Sequence, residues 1–234
     1  MVRNALILRI FGLRPKTTIH IGAGNGQDRD LYYQIGSKKV IWIEASLEKC
    51  HKITKSFPAD VVLNLYVTKI RQEELNNRSA IKFSEEKPTI GVISASTPHK
   101  SLDEILTTHP IQPHPYPWLV VIDTDGAEVD ILEGGERVLT KVSYLVIEQH
   151  FNWDNGEWHK EVSRLCLAYG FNRTLARQNH TKEYEDVLYT RFSKSRIFLI
   201  KCLDSVFYIL KQCKHMINQK HLSTTYFNCK KCKK

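Results

Sequence analysis

Three glycines at alternate positions, Gly22, Gly24 and Gly26, follow the β-rich run Thr18-Ile19-His20-Ile21 and precede a helical stretch from Asp28 to Ile35. Glycines at a strand-to-helix turn permit a tight bend and let a ligand lie against the backbone. Gln27 stands where the dinucleotide fingerprint has its third glycine, which argues against a pyrophosphate cradle and so against NAD or FAD. Glu44 ends the next strand, 18 residues beyond Gly26. A carboxylate there can accept both hydroxyls of an adenosine ribose. The alternative is a plain turn followed by a solvated glutamate. Further along, Asp123, Asp125, Glu128, Glu148 and His150 place carboxylates and an imidazole where two later strands end. Such groups accept protons or ligate hard cations such as magnesium.

The elements that must position these residues alternate between β and α. Lys39 to Glu44 reads as a second strand, Leu47 to Ser56 as a helix and Asp60 to Val67 as a third strand. Ser101 to Leu106 is a helical turn before a Pro-rich loop, Pro110 to Pro117. Trp118-Leu-Val-Val-Ile122 is a continuous apolar run, as expected of a central parallel strand covered on both faces. A helix over Val129 to Leu139, a strand over Val142 to Glu148 and a helix over Lys160 to Tyr169 follow. Phe171 to Arg177 and Asp186 to Phe192 form a closing antiparallel pair. This order predicts an open, doubly wound, mostly parallel α/β sheet. Ligands then lie beyond the carboxyl ends of the strands, where the glycine turn, Glu44, Asp123 to Glu128 and Glu148 to His150 converge.

Ile19-His-Ile-Gly-Ala-Gly-Asn-Gly26, Val40-Ile-Trp-Ile-Glu-Ala45, Ile122-Asp-Thr-Asp-Gly-Ala-Glu-Val-Asp-Ile-Leu-Glu-Gly134 and Leu145-Val-Ile-Glu148 resemble the FkbM-type methyltransferases, a branch of the class I S-adenosylmethionine-dependent enzymes. The resemblance spans roughly residues 17 to 192, and its most specific piece is the segment Asp123 to Gly134. It implies a seven-stranded Rossmann-like class I sheet with an antiparallel last strand and S-adenosylmethionine over the glycine turn. It also implies methylation of a hydroxyl, often on a sugar or natural product. The chain departs from the family pattern at His20, Val121 and Asp125, where the family commonly has an acidic residue, Lys and Glu.

On this reading His20, Gly22, Gly24, Gly26 and Glu44 bind the cofactor. Methyl transfer is an in-line displacement, so the protein must hold acceptor oxygen and methyl aligned. An alcohol must also lose its proton, and Asp123 and His150 are the candidate bases. For His150 a hydrogen-bonded loop residue is an equal alternative. Glu128, opening a helix, suits the helix dipole, and Glu148 is expected to orient the loop. Asp123, Asp125, Glu128 and His150 also form a candidate magnesium set. Carboxylates at strand ends more often have other duties, and no resident metal is expected. The aromatic-rich stretch Phe151 to Trp158 and the segment Tyr116 to Trp118 are candidate walls for an acceptor, with core packing as the alternative.

Composition separates the tail from the body. Of 34 Lys and Arg in the 234 residues, 10 lie in residues 193–234 with one of the 25 acidic residues, so the tail carries the formal net charge of +9. A neutral body excludes a general nucleic-acid footprint. Residues 1–16 read as a lead-in, 17–192 as the methyltransferase domain and 193–234 as a basic amphipathic tail, with apolar residues recurring at Leu199, Leu203, Val206, Leu210, Cys213 and Ile217. The tail suits an anionic membrane surface, the body or a second subunit. Cys229-Lys-Lys-Cys232 is half of a zinc pattern with no common completion. Six scattered cysteines, no cleavable leader pattern and no long uncharged apolar run make a cytoplasmic protein, peripheral to a membrane at most, the expectation. A small-molecule or glycan acceptor is the expected partner; the alternative function is a non-catalytic binding module docked by its tail.

Overall fold

The computed structural model describes residue 9 and residues 12–69, 97–108, 116–151, 156–178 and 183–205. The chain divides into two compact units that part between Phe192 and Ser193. In the first unit, strands β1 (Thr17–Ile21), β2 (Lys39–Glu44), β3 (Val61–Asn64), β6 (Trp118–Ile122), β7 (Tyr144–His150), β8 (Asn172–Gln178) and β9 (Tyr184–Thr190) form a seven-stranded sheet of order β3-β2-β1-β6-β7-β9-β8. β9 runs antiparallel to both neighbours, and the pairings from β3 across to β7 are parallel. This is the class I methyltransferase topology expected from the sequence. β4 (Tyr66–Val67) and β5 (His99–Lys100) make a separate two-stranded sheet.

Both faces of the central strands are covered: all five residues of β1 and all five of β6 are buried, β6 being apolar throughout while β1 buries Thr17, Thr18 and His20 among its isoleucines. On one face Ile19, Ile21, Ile41, Ile43, Val120, Ile122, Leu145 and Ile147 join Ile131, Leu132, Leu139, Val162 and Leu165 in the core. Those last five come from helices α4 (Glu128–Glu133), α5 (Glu136–Leu139) and α6 (Glu157–Ala168). On the other face the Tyr32 ring of α1 (Arg29–Ile35) lies against His20 and Trp42. Helix α2 (Leu47–Ser56) starts at Ser46, whose side chain accepts the Lys49 N–H at 3.4 Å. Helix α3 (Leu102–Thr108) completes the helices of this unit among the described residues.

Two differences from the sequence reading bear most on the site. The single strand expected over Asp60 to Val67 is broken at Leu65, whose N–H turns to the Glu44 carbonyl at 3.2 Å, so Tyr66 and Val67 leave the main sheet. The helix expected over Val129 to Leu139 is two helices, parted at Gly134 and Gly135, where the Gly134 carbonyl accepts the Asp103 N–H at 3.1 Å.

The register positions the site. Ile21 pairs with Ile43 and with Ile122, Ile122 with Ile147, and Glu148 with Asp186. The residues just beyond or at these strand ends, Glu44, Gly22, Asp123, Glu148 and Asp186, therefore form one row across the sheet. The order of the strands reverses between the parallel neighbours β1 and β6, and an open α/β sheet leaves its crevice at that point.

Candidate active site

A cavity of about 510 Å³ opens at this crevice, and Gly24, Glu44, Ser46, Tyr66, Asp123 and Asp125 are among its lining residues. That volume is in the range of small-molecule and cofactor sites. Of the residues expected in the site, Gly22, Gly24, Glu44 and Asp123 line it, whereas His20, Gly26 and His150 do not.

Glu44 is buried, and its two carboxylate oxygens are both engaged. Oε2 accepts the Gly24 N–H at 2.9 Å and Oε1 accepts the Ser46 N–H at 2.8 Å. The side chain thus fastens the glycine turn to the start of α2 and is held in one orientation. Each oxygen retains lone-pair capacity for a further donor.

The glycines have different duties. A Cβ on Gly22, at φ +79°, would lie 1.8 Å from the Asp123 carbonyl oxygen, so this glycine lets the ends of β1 and β6 close together. Gly22→Ala is expected to cost about 3 kcal/mol or more, or to prevent folding, since backbone on both sides must move. Thermal melting checks this, and a melting temperature close to that of the unchanged chain contradicts the packing. Gly24, at φ +56°, faces open space apart from the Gln27 side chain 3.4 Å from an added Cβ. Its backbone is the part of the turn that a ligand can approach. At Gly26 an added Cβ would meet Phe57 at 2.9 Å and Ile53 at 3.5 Å, so this residue packs on α2 and its flank rather than on a ligand.

His20 points to the same side of β1 as Gly22 but lies beneath it, 1% exposed. Its Nδ1 is 2.8 Å from the Tyr32 hydroxyl, and Trp42 and Tyr32 cover the ring. The expected contact with a cofactor is replaced by a core role, because the two aromatic rings fill the space above the imidazole. Burial pushes its pKa down to about 3, so the ring stays neutral in the fold. The unfolded chain takes up a proton below the ordinary value of 6.5 while the folded chain does not, so stability is lost as pH falls through that value. From pH 7 to pH 5 this group alone is expected to remove about 2 kcal/mol, and His20→Gln to abolish that part of the slope. Urea unfolding at the two pH values measures it; an unchanged slope in the variant contradicts a buried neutral imidazole.

Beyond β6 the carboxyls crowd. Burial, followed by the charge of Glu148 and a hydrogen bond with it, pushes Asp123 up to about 8. Glu148 Oε1 in turn lies 3.0 Å from His150 Nε2, and Asp125 Oδ1 lies 3.9 Å from the same nitrogen. The two candidate bases are therefore linked through Glu148, a residue that sequence reasoning had assigned to orienting the loop. Among the described residues, ligand atoms of Asp125, Glu148 and His150 lie within 4.8 Å of one another, a set able to hold a divalent cation. Glu128 is turned elsewhere. Its Oε1 accepts from the Thr124 hydroxyl at 3.0 Å and the Gly126 N–H at 3.2 Å, and its Oε2 from Trp158 Nε1 at 3.0 Å. It fixes the loop after β6 to α6, a tie that its place at a helix start did not announce.

Tyr66 and Val67, with Leu65, were not singled out by sequence, yet they line the cavity because the chain leaves the main sheet there. Trp118 is the converse case. It begins β6, at the end of the strand away from Asp123, and is 4% exposed with Tyr116 stacked on it at 4.8 Å. It cannot wall the site. Trp153 lies outside the described residues, as do Val206, Leu210, Cys213, Ile217 and the Cys229–Cys232 pair.

A family model described as the methyltransferase FkbM domain matches residues 20–173. The chain belongs to this family. As an FkbM methyltransferase it is an S-adenosylmethionine-dependent methylating enzyme. A search of curated proteins found no match. Among solved structures, an O-methyltransferase from Bacillus cereus in complex with S-adenosylhomocysteine is similar at 13% identity and a TM-score of 0.47, over 80% of this chain and 78% of that one. Magnesium protoporphyrin IX methyltransferase from Synechocystis, with bound S-adenosylmethionine, is similar at 8% identity and a TM-score of 0.47, over 80% and 76%. Ribosomal protein L11 methylase from Lactobacillus delbrueckii subsp. bulgaricus is similar at 9% identity and a TM-score of 0.44, over 80% and 76%. Among the described residues no helix of the FkbM chain is long and apolar enough to cross a membrane.

Proposed function

We propose that this FkbM methyltransferase transfers a methyl group to a hydroxyl of a sugar, glycan or small natural product, with Asp123 as the base. The observation that supports the reading is the shared row of Glu44, Gly22, Asp123 and Glu148 across the sheet, of which Glu44, Gly22 and Asp123 line one crevice. The residues fit the cofactor. Glu44 offers carboxylate oxygens to the ribose, Gly24 offers close backbone approach, and Leu65, Tyr66 and Val67 offer an apolar wall to the adenine. Bound S-adenosylmethionine supplies an electrophilic methyl on a sulfonium.

The protein's own part is to place the acceptor and remove its proton. Burial and the charge of Glu148 raise the Asp123 pKa, so its ionised form is a stronger base than an ordinary aspartate and takes the acceptor's proton. His150, joined to Glu148, orients the pair and relays the proton outward. Full-length protein with labelled S-adenosylmethionine and a panel of hydroxylated sugars, glycans and small molecules tests the reading. The expected result is label on an acceptor oxygen. Label on nitrogen or carbon instead contradicts it.

A further inference from the structure

We propose that the first helix of the second unit docks on an anionic lipid surface. Helix α7 spans residues 194–205. Among the described residues, seven large hydrophobic side chains are exposed, and three of them sit on this helix: Phe198 at 66%, Leu199 at 56% and Leu203 at 38%. The others, Tyr33, Leu47, Tyr116 and Leu167, are scattered singly, as surface hydrophobes ordinarily are. At about 100° per residue Phe198, Cys202, Leu199 and Leu203 fall within an arc of roughly 140°, an apolar face interrupted only at its first turn by Ser195. Ile197 and Ile200, outside that arc, are buried.

The charges decide what covers the exposed face. Lys194 and Lys201 border it on one edge and Arg196 on the other, all three exposed, while Asp204 lies on the far side. Apolar groups flanked by cations match a membrane interface, in which the apolar face enters the headgroup and acyl boundary and the cations meet lipid phosphates. A second copy of the chain would bring the same cations together, which opposes that occupant. The sequence repeats the same apolar spacing at Val206, Leu210 and Ile217, which lie outside the described residues, and the tail from Ser193 holds 10 basic residues against one acidic.

The test is co-sedimentation of the full chain with phosphatidylglycerol-phosphatidylcholine vesicles and with phosphatidylcholine vesicles alone. Binding to the anionic vesicles is expected, weakened several-fold when salt is raised from about 50 to about 500 mM. Phe198→Glu with Leu199→Glu is expected to lower partitioning about tenfold or more, with thermal melting confirming the fold. Lys194→Glu with Lys201→Glu, which leaves the apolar face intact, is expected to remove the preference for anionic lipid. The proposal is overturned if the full chain stays in solution with anionic vesicles, or if neither pair of changes alters its partitioning. It is equally overturned if sedimentation shows a dimer that the Phe198 and Leu199 changes dissociate, since the face then belongs to a second copy. None of these outcomes depends on the acceptor or on Asp123.

Discussion

Glu44→Ala is expected to weaken S-adenosylmethionine binding by about 10- to 150-fold, equivalent to about 1.5–3 kcal/mol. The size follows from what the carboxylate does in the fold. It is held by the backbone N–H groups of Gly24 and Ser46, so it meets a ribose already oriented, and charge-assisted hydrogen bonds are the strong ones. Alanine removes the acceptors for the ribose and also unties the glycine turn from α2. Glu44→Gln keeps one acceptor oxygen and is expected to fall between the two. Calorimetric titration of the three proteins checks the order. Affinity in Glu44→Ala equal to that of the unchanged chain would remove Glu44 from the site.

Asp123→Asn is expected to lower turnover about a hundredfold or more while changing cofactor affinity less than about twofold. It should also stabilise the protein, and the sign follows from linkage. Burial and Glu148 raise the Asp123 pKa in the fold, from 3.8 to about 8, so between these values the folded chain keeps a proton that the unfolded chain has released. Stability therefore declines as pH rises across that window. Asparagine carries no charge, so the variant is expected to be more stable by about 1–3 kcal/mol at pH 8 and nearly unchanged at pH 4. Loss of activity together with a gain in stability marks a group strained for function, whereas loss of both marks a structural aspartate. His150→Gln acts through Glu148, so a smaller loss of about tenfold, with a shifted pH profile, is expected.

How far the sequence carries depends on what each feature rests on. β6 was legible because it is apolar throughout, as a strand covered on both faces can be, and β1 and β2 because short β-rich runs end at the turn glycines and at Glu44. The break at Leu65 was not legible. No Gly or Pro marks it; a backbone bond to Glu44, 21 residues earlier, does. That break is why Tyr66 and Val67 came into the cavity unannounced. His20 shares a face with Gly22, but only the packing of Tyr32 and Trp42 shows that it is covered. The pairing of Asp123 with Glu148 spans 25 residues and exists only through the register of β6 on β7. Local pattern fixed the strand ends, and sheet register decided which of those ends became neighbours.

The central claim is that the crevice at the ends of β1, β2 and β6 holds S-adenosylmethionine. Calorimetric titration of the unchanged chain with S-adenosylhomocysteine tests it without knowledge of the acceptor. One site per chain is expected, with NAD producing no heat and Glu44→Ala weakening the isotherm. A folded chain that takes up no S-adenosylhomocysteine, or one that binds NAD in its place, contradicts the account.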